Sequence, residues 1–363
     1  MKIIDIKTGT LSIPLRKAFK TALRTLEHLV TNIVLIETDD GISGLGEAPA
    51  TGPITGDSSA GIRGAIHEFI KPRLIGKRIE NLDEVLFLLE TSCIKNTSAK
   101  AAVDIALHDL FCQMYKIPLY RFLGGFRNKV ETDLTISLNS PEEMAKDSIE
   151  AISRGFRILK LKVGQDYKLD IKRIQEIRKS VGADVSLRLD ANQGWKSKEA
   201  IHIMKMIEES GISIELLEQP VTAHDVEGLK QVRDSIQTPV LADESVFSPL
   251  DAEKILSMKA ADFLNIKLMK TSGLRQAMTV CALAELHATE CFMGCMMESK
   301  LSVTAAAHLA CAKRIITRCD LDSPVLCSED PVKGGISFEG GVITVPDLPG
   351  LGIKHIDGIT WDK

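Results

Sequence analysis

Charged residues close a series of β-like runs in this chain, and they recur at nearly constant intervals. The strand candidates are Val130–Leu138, Phe156–Val163, Val185–Asp190, Ile214–Glu218, Pro239–Asp243, Asp262–Leu268, Glu290–Met297 and Ile315–Asp320. Strands buried on both faces read as continuous apolar runs, and these ends break that rule in order. Lys160 and Lys162 flank Leu161, so both point to one face. The next three runs end in Asp190, Glu218 and Asp243, the sixth carries Lys267, and the eighth ends in Asp320-Leu321-Asp322. The steps are 28 residues from Lys162 to Asp190, 28 to Glu218, 25 to Asp243 and 24 to Lys267. Such spacing assigns these side chains to equivalent positions in successive units.

Between the runs, segments such as Pro141–Arg154, Lys196–Ser210 and Gly273–His287 carry helical periodicity, with Gly155 and Gly211 where C-caps fall. Eight strand slots separated by helices over about 200 residues match a (β/α) barrel, whose active sites lie at the C-terminal ends of the strands. A doubly wound open sheet is the competing architecture, and the Gly-rich phosphate turn that often accompanies it is missing. Gly41-x2-Gly44-x-Gly46 lies inside a strand-like stretch and reads as hairpin glycines.

The first 125 residues follow a different grammar. Residues 2–13 and 30–38 alternate as strands, and Asp39-Asp40-Gly41 turns the chain into Ile42–Glu47. Ala60–Ile70, Leu82–Leu89 and Ser98–Met114 then read as helices. We therefore expect an α+β capping domain over residues 1–125, a barrel over 126–335, and a tail, 336–363, that returns to the capping domain.

Composition excludes several classes of function. Lys and Arg number 45 against 49 Asp and Glu, a formal charge of -4, which argues against nucleic acid as a partner. No apolar run is long enough to span a bilayer, and the opening segment lacks the apolar core of a secretion signal. Eight scattered cysteines, several inside apolar stretches, fit free thiols in a reducing cytoplasm.

Asp190, Glu218 and Asp243 come from three adjacent strand candidates. Three carboxylates converging without a cation raise one another's pKa, and a hard divalent ion relieves them. An all-oxygen ligand set without His or Cys favours Mg²⁺ over zinc. Lys162 and Lys267 flank this arc on strands two and six. Beside a metal ion and the Lys160 ammonium, a lysine's neutral form is favoured, so it can act as a base. Two such lysines facing each other suit removal of a proton from one face of an α-carbon and its return to the other.

The motifs Lys160-Leu161-Lys162, Leu189-Asp190-Ala191-Asn192-Gln193, Leu217-Glu218-Gln219-Pro220, Ala242-Asp243-Glu244-Ser245 and Asn265-Ile266-Lys267 resemble the enolase superfamily, in its muconate-lactonizing-like subgroup. Asp320-Leu321-Asp322 makes the chain similar to the dipeptide epimerases of the L-Ala-D/L-Glu type within it. The resemblance covers essentially the whole chain, including Phe19–Thr25. It implies a (β/α)7β barrel under a capping domain, one Mg²⁺ held by Asp190, Glu218 and Asp243, and Lys162 and Lys267 as the acid/base pair. Lys160 would help neutralise an enediolate, Asp320 and Asp322 would hold a dipeptide's ammonium, and Arg24 would pair with a Glu side chain. Thr135 and Cys295 would line the pocket. Cys295 departs from the expected Ser, and a thiol is the weaker donor. None of the eight His falls at strands five to seven, where the mandelate-racemase-like branch places a His–Asp pair.

Three readings compete at this stage. The first is an epimerase acting on L-Ala-D/L-Glu or another dipeptide. The second is a lyase or cycloisomerase such as an o-succinylbenzoate synthase or a muconate cycloisomerase, whose anionic substrate Asp320 and Asp322 would repel. The third is a non-catalytic binding module, in which the two lysines would have no purpose. Oligomeric state stays open; superfamily members often form homo-oligomers.

Overall fold

The computed structural model describes residues 1–21 and 24–362. Three antiparallel strands open the chain: β1 (Ile3–Lys20), β2 (Thr25–Thr38) and β3 (Ser43–Pro49). Gly41, at φ +83°, allows the turn that sets Glu37 opposite Ser43. The Ala-rich helix Thr97–Met114 lies directly on β3 and is buried along most of its length. Gly44 and Gly46 permit this approach, because a Cβ at either would overlap the backbone carbonyls of Ala106 and Ala102. The glycine cluster is thus a packing device within a strand.

The chain then passes through β4 (Lys129–Glu131) into eight parallel strands that neighbour one another in chain order. They are β5 (Leu134–Ile136), β6 (Ile158–Lys162), β7 (Ser186–Asp190), β8 (Leu216–Glu218), β9 (Val240–Ala242), β10 (Phe263–Ile266), β11 (Glu290–Gly294) and β12 (Ile316–Asp320). Seven crossover helices connect them, from Pro141–Ser153 to Lys300–Ala312, which gives the (β/α)7β order. Ser140 caps the first through Glu143 N–H, and Gly155 and Gly211 take positive φ where two of the helices end. Thr132 bridges to Cys319, and its hydroxyl accepts from Leu321 N–H at 2.7 Å, closing the sheet.

The segment Val130–Leu138 is not one strand. Its first part pairs antiparallel with Val342–Thr344, and only Leu134–Ile136 joins the barrel. The tail is shared in the same way. Thr360–Trp361 pairs with Thr10 and Gly9 of β1, while Val342–Thr344 stays with β4.

Two buried acids fix the N-terminal sheet and helix to the barrel. Glu47 of β3 accepts from Ser299 N–H (2.6 Å), Ser299 Oγ (2.6 Å) and Ser302 N–H (3.0 Å) at the start of helix Lys300–Ala312. Asp104 accepts from Leu274 N–H (2.6 Å) at the start of helix Leu274–Leu286. Each puts a carboxylate where the helix presents unpaired N–H groups and the positive end of its dipole.

Candidate active site

Strand register decides which side chains meet at the mouth of the barrel. Lys162, Asp190 and Glu218 are direct cross-strand neighbours, as their equal spacing predicted. Asp243 is two residues further along, because Glu218 is level with Leu241. Lys267 is two residues beyond Asn265 in the same sense, given the pairing of Leu264 with Ala242. The inward residues therefore climb around the ring, which is the stagger that closing a barrel requires. The shorter intervals of 25 and 24 residues carry no loss of alignment.

Lys160 lies at the centre of the carboxylates. Its Nζ is 2.8 Å from Glu218 Oε2, 3.0 Å from Asp190 Oδ2 and 2.7 Å from Asp320 Oδ2. Lys162 pairs with Asp190 at 2.6 Å, and Lys267 pairs with Asp243 at 2.7 Å. All of these groups are buried. Burial opposes the charge on Lys160 and Lys267, but the facing carboxylates outweigh it and hold both well above the usual lysine range. Asp243 is the nearest counter-charge to Lys267. Burial, then the neighbouring Asp190, raises Glu218 to about 7.

Several participants were not singled out from the sequence. Lys270, fully buried, holds Asp243 Oδ1 at 2.5 Å and the Asn265 carbonyl at 3.0 Å. Asn265 donates to Glu218 Oε1 at 2.8 Å. Glu244 is buried beside the ring and raised to about 8 by burial and then Asp243. The available signal was Asn265-Ile266-Lys267-Leu268-Met269-Lys270, a second lysine in an apolar stretch with no surface role to occupy it.

A cavity of about 50 Å³ lies over the lysines. Its walls include Lys160, Lys162, Lys267, Asp320, Asp322, Thr135 and Cys295, together with Arg24, Phe19 and Ile54 from the N-terminal region. Thr135 gives its backbone N–H to Asp322 Oδ2 at 2.6 Å. The Cys295 thiol is pushed well above its ordinary range, first by burial and then by Asp320. Arg24 is half-buried, no described carboxylate pairs with it, and burial lowers its pKa. Lys20 ties β1 to the barrel mouth, donating its backbone N–H to Ser137 Oγ and accepting from Leu138 N–H. A larger cleft of about 1010 Å³ opens beside Glu244 and Gln193 but includes none of the three central lysines.

The acids arrange themselves in two groups. A carboxylate oxygen of each of Asp133, Asp320 and Asp322 lies within 4.8 Å of the others. Asp190, Glu218 and Asp243 are instead drawn onto lysines. Both oxygens of Asp190 and of Asp243 take donors, and only Glu218 Oε2 among the three acids accepts no aligned hydrogen bond, with the Lys160 ammonium 2.8 Å away. Beside them, Glu244 Oε2 and Asn192 Oδ1 are buried without a partner among the described residues. Those open oxygens suit a Mg²⁺-like ion.

A parallel barrel with acids and lysines ringed at its C-terminal mouth, roofed by an antiparallel sheet that contributes one wall of the cavity, defines an enzyme of the decorated-barrel class. The profile for the mandelate racemase / muconate lactonizing enzyme N-terminal domain matches residues 3–124, and that for the enolase C-terminal domain-like region matches residues 143–357. The chain belongs to the enolase superfamily, in its mandelate racemase/muconate lactonizing branch. It is 55% identical to the L-Ala-D/L-Glu epimerase of Clostridium acetobutylicum, over 98% of this chain and 100% of that one. A substrate-liganded L-Ala-D/L-Glu epimerase from Bacillus subtilis superposes with a TM-score of 0.97 at 50% identity, covering 99% of this chain and 100% of that one. A dipeptide epimerase from Enterococcus faecalis, solved with Mg and L-Leu-L-Tyr, superposes at 0.94 with 39% identity, covering 98% and 100%. No helix among the described residues is long and apolar enough to cross a membrane.

Proposed function

We propose that the protein is a Mg²⁺-dependent dipeptide epimerase that inverts the α-carbon of the C-terminal residue, with L-Ala-D/L-Glu as substrate. The observation that carries this reading is the placement of two buried lysines on strands two and six of an eight-stranded ring, with the cavity between them. In each direction one of Lys162 and Lys267, neutral at Nζ, would take the α-proton from one face of the carbon, and the other, as an ammonium, would give a proton to the opposite face. Asp320 and Asp322 receive the substrate's ammonium. Arg24, without an acidic partner among the described residues, receives a side-chain carboxylate, which favours Glu as the second residue. A muconate- or succinylbenzoate-type anion would meet Asp320 and Asp322 with like charge.

Asp190, Glu218 and Asp243 would hold the metal, with Lys270 and Asn265 orienting Asp243 and Glu218. When bound, the ion supplies positive charge that relieves these carboxylates of their lysines and stabilises negative charge developing on the substrate's carboxylate. Lys160 adds a second positive charge at the same place. The close relatives named above support the choice of L-Ala-D/L-Glu. Incubating L-Ala-L-Glu with the protein and Mg²⁺ in D₂O is expected to place deuterium at the Glu α-carbon and form L-Ala-D-Glu. No deuterium and no change in optical rotation overturn the proposal.

A further inference from the structure

Below the cavity lies a buried acid that no step above uses. Asp133 is two residues before Thr135, so it faces inward one layer deeper in the barrel. It is fully buried, and its Oδ2 accepts from Arg188 Nη1 at 2.8 Å. Its Oδ1 has no donor among the described residues. Burial, and then the neighbouring Asp320, raise its carboxyl well above the usual range, so its charged form calls for a cation that the cavity can bring to Oδ1. Two more carboxylates, Asp320 and Asp322, sit within 4.8 Å. Lys160 and Arg188 are the adjacent cations, and neither is dedicated to this group. Lys160 divides its charge among Asp190, Glu218 and Asp320. Arg188 also pairs with Glu215 at 2.8 Å, on the opposite, outer side of the barrel floor. Arg188 is itself pinned by the Cys319 carbonyl and lies 4.9 Å from the Phe292 ring. The ring lysines hold Asp320 ionised, while burial and the neighbouring acids raise Asp322 to about 7 and Asp133 well above the usual carboxylate range, so a cation entering here would favour the charged forms of both.

We infer that Asp133 is a positioning residue for the substrate's ammonium: its charge, shared through Arg188 with Glu215, completes the negative field that holds the cationic end of the dipeptide on Asp320 and Asp322. The inference rests on the dipeptide reading, and wild-type turnover of L-Ala-L-Glu tests that reading separately.

The experiment compares the affinity of the Mg²⁺-loaded protein for L-Ala-L-Glu and for N-acetyl-L-Ala-L-Glu, which lacks the positive charge, by calorimetry. Asp133→Asn keeps the shape and an acceptor for Arg188. It is expected to weaken free-amine dipeptide about tenfold, leave the acetylated one within about twofold, and raise KM far more than it lowers kcat. Equal weakening of both ligands, as a purely structural role requires, or no weakening of either, overturns the inference. Glu215→Gln decides the matter if Asp133→Asn does not fold. With Arg188 released from Glu215, more of its charge falls on Asp133, and the free-amine dipeptide is expected to weaken selectively, by about threefold. Absence of that selectivity overturns the inference as well.

Discussion

Gly294 shows how one missing side chain shapes the chemistry. It ends β11 beside Lys267, and a Cβ there would fall 2.7 Å from Asn265 Oδ1 and 2.9 Å from Lys267 Cε. The lysine reaches across the barrel mouth because its neighbour has no side chain. Gly294→Ala is expected to shift Lys267 and cut kcat by about tenfold or more, with KM and the melting temperature little changed; equal kcat in the two proteins would refute this. The lysines themselves permit a sharper test. Lys162→Ala and Lys267→Ala should each abolish epimerisation, yet each should still exchange the α-proton of one antipode with D₂O, and not the same one. Exchange of both antipodes by either variant would exclude a two-faced mechanism. The acids and lysines at strand ends were legible because charge stands out in an apolar run. Lys270 and Asp133 were not, because their meaning lies in partners tens of residues away, Asp243 and Arg188.

At the scale of elements, β3 and the helix Thr97–Met114 carry a packing constraint that can be measured. Their backbones touch at Gly44 and Gly46, so Gly46→Ala must separate strand from helix or strain one of them. The expected cost is about 1–3 kcal/mol in urea unfolding, while the same change at Gly64, whose Cβ would meet nothing, should cost far less. Equal costs would remove the explanation. Seven of the eight strand slots, and the helices between them, were readable from periodicity alone. The first slot was not, because Lys129–Glu131 and Leu134–Ile136 look continuous along the chain. A partner more than 200 residues later, Val342–Thr344, claims the first of them, and local pattern carries no trace of such a pairing.

For the molecule as a whole, the floor of the barrel contributes to acid stability. Glu215 bridges Arg188 and Arg318, at 2.8 Å each, and Arg318 continues to Glu290 at 2.6 Å. Burial would raise the Glu215 carboxyl, but the two guanidinium groups overcome it and hold the group at about 2. A carboxyl depressed on folding stabilises the native state above its unfolded value near 4.5, and that contribution disappears as the pH falls towards 2. Wild type should therefore exceed Glu215→Gln by roughly 2 kcal/mol at neutral pH, and the gap should close between about pH 4.5 and 2. A gap independent of pH would show that the carboxylate's charge is not responsible.

Glu47 and Asp104 bear on how this scaffold can change its diet. Because the roof is fastened at the starts of two barrel helices, it is a fixed frame, and its contribution to the cavity comes down to Phe19, Thr21, Arg24, Pro53 and Ile54. Those residues lie outside the ring of acids and lysines, so they can be rewritten without disturbing the proton-handling parts. New preferences for either residue of the dipeptide should therefore be reachable by grafting short loops, in the way a tool changes its bit and keeps its motor.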